Sequence, residues 1–308
     1  MNDIFQKTLT KPIIFEGVGL HSGKESAIKI LPAAVDQGII FKRIDLKEAN
    51  IVEANYANVC SARLCTTLEN KEGVKISTVE HLLASLYFAG IDNATIEINT
   101  DEVPIMDGSS KEFLKVLKDT ELKSQSKKRK YLKMNKKVEF EDDNKKISIE
   151  PNGLAFEVDF ELNYENKIIG NQRNKVNFHS DDLTDIYNSR TFCLFEDIEK
   201  IKKAGLAKGG SLENAIVVDK DKVLNQDGLR NKKEFVNHKI LDLSGDFLLS
   251  GYRVLGKVVC SQGGHQLTNT FLRKLLKTEN SFSLIELEDV LVPKKPRTNI
   301  EPKIAVNA

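Results

Sequence analysis

Two stretches of this chain carry the same succession: a helical pattern with a histidine near its start, a closing glycine, then a strand. In the first, Val79, Leu82, Leu83, Leu86 and Tyr87 recur at helical spacing over residues 77–89. Ser77 or Thr78 is placed to cap this helix, Gly90 to end it, and residues 94–99 alternate as a strand. In the second, residues 234–250 read as a long helix carrying His238; Gly251 closes it and residues 253–260 follow as a strand. The repeat predicts two related units, each with helices on one face of a mostly antiparallel sheet. The 308 residues suffice for two domains at roughly 150 residues each.

The remaining pattern fits that division. Residues 11–32 read as two strands around the glycine-rich loop Gly17–Gly23, and residues 39–41 as a third. A helix is expected at 110–122, after the turn 106–109. Residues 123–130, KSQSKKRK, are polar and basic without apolar periodicity and read as a solvated interdomain linker. The predicted organisation is a first domain over 1–123, a linker over 124–130 and a second domain over 131–308. Within the second domain, alternating strands fill 131–164. Helical stretches are expected at 180–187, 197–204 (broken at Gly205) and 267–278, with a strand at 215–218.

Composition narrows the function classes. The chain has 46 basic and 45 acidic residues, a net charge of +1, which argues against a nucleic-acid binder, because such proteins need a basic face. No apolar run approaches the roughly 20 residues of a membrane span, and residues 1–9 lack the apolar core of a secretory signal. A cytoplasmic chain without stable membrane insertion is expected. Cys60, Cys65, Cys193 and Cys260 form no C-x-x-C pair, so a cysteine-rich zinc site is not expected and the thiols read as reduced, free, buried or semi-buried side chains.

Five histidines are available for chemistry: His21, His81, His179, His238 and His265. His238 and Asp242 lie four apart on one helix face, a spacing that serves one shared metal ion or a surface ion pair. Asp246 continues the row. Glu80 precedes His81 near the start of its helix. Glutamate beside a histidine ligand is what a zinc hydrolase uses: the metal lowers the pKa of water to about 7 and the carboxylate takes the proton. Two histidines and an aspartate would leave a fourth coordination position for that water. His265 follows two glycines, as suits a side chain projecting from a tight turn, and Asp246 could hold its other nitrogen and keep it charged. Thr191 and Lys239 could each stabilise an oxyanion. His179 sits among helix-cap residues and stays outside the predicted site.

Ordered motifs along nearly the whole chain resemble the zinc-dependent UDP-3-O-acyl-N-acetylglucosamine deacetylases of Gram-negative bacteria. They are GVGLHSG at 17–23, STVEHLLAS at 77–85, PIMDGS at 104–109, SRTF at 189–192, GGS at 209–211, AIVVD at 215–219, VLNQDGLR at 223–230, HKILDLSGD at 238–246 and GGH at 263–265. The resemblance implies an α+β fold of two layered sandwich domains of similar topology, with the active site in the cleft between them. It implies one catalytic zinc on His81, His238 and Asp242. Glu80 becomes the general base and His265 the charged acid, oriented by Asp246, while Thr191 and Lys239 polarise the carbonyl or bind substrate. The reaction implied is removal of the N-acetyl group from an acylated UDP-glucosamine derivative, the committed step of lipid A biosynthesis.

The substrate contacts expected from the resemblance are His21, Phe192, Leu194, Ile198, Leu212 and, against uracil, Tyr164. An acyl-chain groove is expected near 192–220, where Gly205, Gly209 and Gly210 would let the backbone approach a bound chain. Gln262 stands where the family often has lysine, and Leu194 and Leu212 where aromatics are common. A small-molecule substrate, no nucleic acid and a monomeric chain complete the expectation. The alternatives are a zinc amidohydrolase acting on another N-acetylated sugar and a non-catalytic nucleotide-sugar binder.

Overall fold

Alternation builds the first sheet. In strands Ile13–Val18 and Glu25–Pro32, the side chains of Ile13, Phe15, Ile28 and Ile30 turn to one face and are buried. The computed structural model describes residues 4–287, so residues 288–308 of the predicted second domain lie outside the described residues. Among the described residues there are six α-helices: α1 (Glu80–Ala89), α2 (Lys111–Lys118), α3 (Thr184–Tyr187), α4 (Phe195–Lys203), α5 (Glu234–Leu248) and α6 (His265–Lys277). The first sheet has the order Ile13–Val18, Glu25–Pro32, Ala94–Ile98, Ile39–Arg43, Ile51–Glu53. Helix α2 covers it with Phe113, Leu114 and Leu117 and keeps its lysines outside; the Phe113 ring meets Phe15 edge-on at 4.9 Å.

A seven-stranded sheet forms the second unit. Its central strand, Arg253–Ser261, pairs antiparallel with Lys145–Glu150 and parallel with Phe156–Asn163 and Lys130–Met134. The strand after α1, Ala94–Ile98, is likewise central, antiparallel to Glu25–Pro32 and parallel to Ile39–Arg43. The helix–glycine–strand repeat thus marks the same structural position in both units. Gly90 (φ 80°) and Gly251 (φ 82°) both turn the chain through the left-handed region, where a side chain would be strained.

The two cores interlock through α1 and α5. Ala84 and Tyr87 of α1 belong to the core under the second sheet, while Leu249, just past α5, belongs to the first core. The helices meet at Gly245. A β-carbon there would lie 2.2 Å from the Glu80 carbonyl oxygen and 3.0 Å from the Ala84 nitrogen. Only a residue without a side chain lets the backbones approach this closely.

Three sequence expectations are corrected. The residues read as a linker form strand Leu122–Lys128, paired antiparallel with Phe5–Leu9. This two-stranded ribbon is held by backbone bonds and by polar side chains, which is why no apolar alternation marks it. Gln125 accepts from Asn93 at 2.7 Å and donates to the Ala33 carbonyl at 2.9 Å. Arg129, within the same basic run, is 2% exposed. It donates to both carboxylate oxygens of Asp92 at 2.7 and 2.8 Å and to the Gly90 carbonyl at 2.7 Å. Neither Ser77 nor Thr78 caps α1; Thr78 adopts φ 58° and gives its hydroxyl to Glu102 at 2.9 Å instead. The helix expected at 180–187 is reduced to α3, because Asp182 holds the Thr184 N–H and the preceding residues turn.

Two outcomes follow. In an exposed helix, Gly→Ala gains about 1 kcal/mol. At Gly245 the added methyl meets backbone, so Gly245→Ala is expected to cost about 1–3 kcal/mol and to lower the thermal midpoint in a melting experiment. Arg129→Met leaves Asp92 without its bidentate partner and is expected to cost about 3–5 kcal/mol by denaturant titration. A change within about 0.5 kcal/mol, normal for a solvated surface position, would restore the linker reading.

Candidate active site

Helix α1 brings His81 and helix α5 brings His238 and Asp242 to one point, and all three are buried. Their ligand atoms lie within 4.8 Å of one another. Asp242 Oδ1 sits 3.4 Å from His81 Nε2 and 3.3 Å from His238 Nε2. Tetrahedral bonds of about 2.0–2.1 Å space donor atoms at about that distance. His238 Nδ1 lies 3.0 Å from the Ser189 carbonyl, which can only accept. The ring proton therefore sits on Nδ1 and the Nε2 lone pair faces Asp242. Burial pushes the His238 pKa down to about 3 despite the attraction of Asp242, keeping the imidazole neutral as a metal ligand must be. Asp242 Oδ1 has no hydrogen-bond partner among the described residues although it is buried. A buried, unsatisfied carboxylate oxygen between two imidazole nitrogens fits a bound cation.

Beside the triad stand Glu80 and His265. Glu80 is 3% exposed, and burial raises its pKa against the pull of His265 and His81. His265 is the first residue of α6, where the helix dipole disfavours a cation. Burial also works against its charge, but Asp246, Asp242 and Glu80 outweigh both and push its pKa up to about 10. Its Nδ1 bonds Asp246 Oδ2 at 2.7 Å, and its Nε2 lies 3.9 Å from Glu80 Oε1 and 3.8 Å from Asp242 Oδ2. Three carboxylates thus face two cations, His265 and Lys239. Lys239 Nζ is 3.2 Å from Asp242 Oδ2. Burial lowers its pKa, but the neighbouring carboxylate more than offsets this.

Thr66 completes the arrangement, and sequence reasoning did not single it out. Its N–H donates to Glu80 Oε2 at 3.0 Å and its hydroxyl to Asp246 Oδ1 at 2.7 Å. It lies 14 residues from one partner and 180 from the other, so no local spacing advertises it.

The motif SRTF is placed residue by residue. Ser189 offers its carbonyl to His238. Arg190 is locked to Glu234, the first residue of α5, at 2.8 Å with both side chains buried. Thr191 N–H donates to the Gly108 carbonyl at 2.8 Å, so the PIMDGS turn of the first unit positions a residue of the second. Asp107 of that turn pairs with Arg230 at 2.8 Å, joining PIMDGS to VLNQDGLR.

A cleft of about 760 Å³ opens over these groups. Glu80, His81, Thr191, His238, Lys239, Asp242 and His265 line it, together with Tyr164, Phe192 and Leu194. The remaining expected substrate contacts lie elsewhere. His21 is buried beneath the turn 207–209, its Nδ1 accepting from the Ala207 N–H at 3.4 Å. Ile198 sits on α4 outside the cleft lining, which takes Asp197 and Ile201 from that helix. Leu212 is 46% exposed and also outside it. The glycines near 205–210 differ in their surroundings. Gly205 has nothing near it, while a β-carbon at Gly209 would strike the Gly19 carbonyl at 2.4 Å. GGS and GVGLHSG therefore need glycine to pack on each other. Gln262 is also occupied: its Oε1 accepts from the Asn163 N–H at 2.6 Å and its amide returns a bond to the Asn163 carbonyl.

Comparison with known proteins identifies the family. The family model described as UDP-3-O-acyl N-acetylglycosamine deacetylase matches residues 6–277. A protein of Geotalea uraniireducens named UDP-3-O-acyl-N-acetylglucosamine deacetylase is 42% identical over 284 residues, 92% of each chain. Proteins of the same name from Shewanella violacea and Shewanella oneidensis are 41% identical over 288 residues, 92% of this chain and 94% of theirs. The chain belongs to the UDP-3-O-acyl-N-acetylglucosamine deacetylase family.

Proposed function

We propose that the chain removes the N-acetyl group from UDP-3-O-acyl-N-acetylglucosamine, with one zinc ion on His81, His238 and Asp242. The unsatisfied Asp242 Oδ1, set between two imidazole nitrogens at 3.3 and 3.4 Å, carries the reading. A zinc ion there supplies Lewis acidity, lowering the pKa of water to about 7 and polarising a carbonyl oxygen. The divalent charge also answers the surplus of carboxylates over cations in the pocket.

The chain's own groups do the rest. Glu80 takes the proton of the attacking water; its raised pKa makes it the stronger base. Thr191 and Lys239, both in the cleft wall, donate to the oxygen that becomes negative as the acetyl carbon turns tetrahedral. His265, kept charged by Asp246, gives a proton to the amine nitrogen as the C–N bond breaks, and acetate leaves. All these groups come from one copy of the chain, which supports a monomer. Among the described residues no helix is long and apolar enough to cross a membrane, which supports work in the cytoplasm on a substrate met from the water side. Phe192, Leu194, Ile201 and Leu20 give the cleft an apolar wall for the acyl chain.

Metal analysis of the purified chain is expected to find about one zinc per molecule, and chelation to abolish deacetylation. Glu80→Gln is expected to keep the metal and lose about 10²–10⁴-fold in kcat; full turnover by metal-free protein overturns the proposal. For the apolar wall, each buried methylene is worth about 0.8 kcal/mol. Values of kcat/KM over a series of acyl lengths are therefore expected to rise with length, and Leu194→Asp to flatten the rise without loss of zinc. A flat profile for the wild type would leave the wall without a role.

A further inference from the structure

The base and the acid sit on different elements, Glu80 on α1 and His265 on α6, and each needs a fixed position. Neither is held by its own helix alone. Glu80 offers one oxygen toward His265 and gives the other to the N–H of Thr66. His265 is held at Nδ1 by Asp246 Oδ2, and the other oxygen of Asp246 receives the hydroxyl of Thr66. The contacts close a ring: Glu80, Thr66, Asp246, His265 and back to Glu80.

We propose that Thr66 is the positioning residue of this reaction: its N–H and hydroxyl tie the general base and the orienter of the general acid into one frame. The proposal rests on the deacetylase reading above. Three observations carry it. Thr66 is 2% exposed, so water cannot replace its bonds cheaply. Its carbonyl also accepts from the Val79 N–H at 3.4 Å, at the residue preceding α1, so the residue is fixed against the start of the helix that carries Glu80. Its hydroxyl, on the residue just before strand Thr67–Glu69, reaches a carboxylate of α5 at 2.7 Å. Thr66 lies outside the cleft lining, so it acts through Asp246 and Glu80 rather than on substrate.

Thr66→Val tests the hydroxyl while keeping the branched shape and both backbone bonds. With UDP-3-O-acyl-N-acetylglucosamine, the variant is expected to lose about 10- to 100-fold in kcat, the loss that follows from leaving a charged buried partner one bond short. KM is expected to stay within about twofold and zinc content to be unchanged. Thr66→Ser, which restores the hydroxyl, is expected to recover most of the rate. In an Asp246→Asn background, Thr66→Val is expected to add little, because the two act on one partner. A wild-type kcat in Thr66→Val, a loss that multiplies in full with that of Asp246→Asn, or a Thr66→Ser enzyme no better than Thr66→Val overturns the proposal. If Thr66→Val does not fold, Thr66→Ala, which also removes the hydroxyl and keeps both backbone bonds, takes its place against Thr66→Ser and in the Asp246→Asn background, with the same outcomes. Failure of the underlying reading looks different: the wild type would not deacetylate the substrate, or Glu80→Gln would keep full rate.

Discussion

The contact of α1 with α5 at Gly245 sets the distance on which everything else depends. One helix supplies His81 and Glu80, the other His238, Lys239, Asp242 and Asp246. The helices belong to different sheets, yet each inserts side chains into the other's core. A metal-ligand set tolerates errors of only a few tenths of an ångström, and no loop could hold two units to that tolerance. Backbone against backbone, with no side chain between, leaves little freedom in the spacing.

The chemistry then follows from burial. Glu80, Asp242, Asp246, His238 and His265 are all almost completely withdrawn from water, where electrostatic effects are least screened. Burial disfavours the charge of both histidines, and the carboxylates around only one of them reverse the outcome. For His238, burial holds the pKa down to about 3, so the imidazole is uncharged above that pH. His265 has three carboxylates around it and remains charged to about 10. Two residues of one type take opposite roles through neighbours alone.

Much of this was legible in the sequence because it is local. The repeat of helix, glycine and strand located both central strands, and i,i+4 spacing put His238 with Asp242 on one face. What escaped was nonlocal or polar. Leu122–Lys128 forms a ribbon through backbone bonds and so shows no apolar period. Thr66 is tied to Asp246 across 180 residues of chain. Gly245 reads as a weak point in a helix until its partner helix is placed. Motifs such as PIMDGS and VLNQDGLR were visible as strings, but their work is to meet each other through Asp107 and Arg230. His21 is a substrate contact by the family resemblance alone, while its burial beneath the turn 207–209 depends on segments far away in sequence.

The buried Arg129 has a mechanical consequence. The chain passes from the ribbon Leu122–Lys128 directly into the second sheet at Lys130–Met134, and the residue between is bolted to Asp92 and Gly90 of the first unit. The crossing point is therefore not a free joint: parting the two units there breaks a buried bidentate ion pair. The joint is thus a load path: what pulls on one sheet is carried through Arg129 to the other.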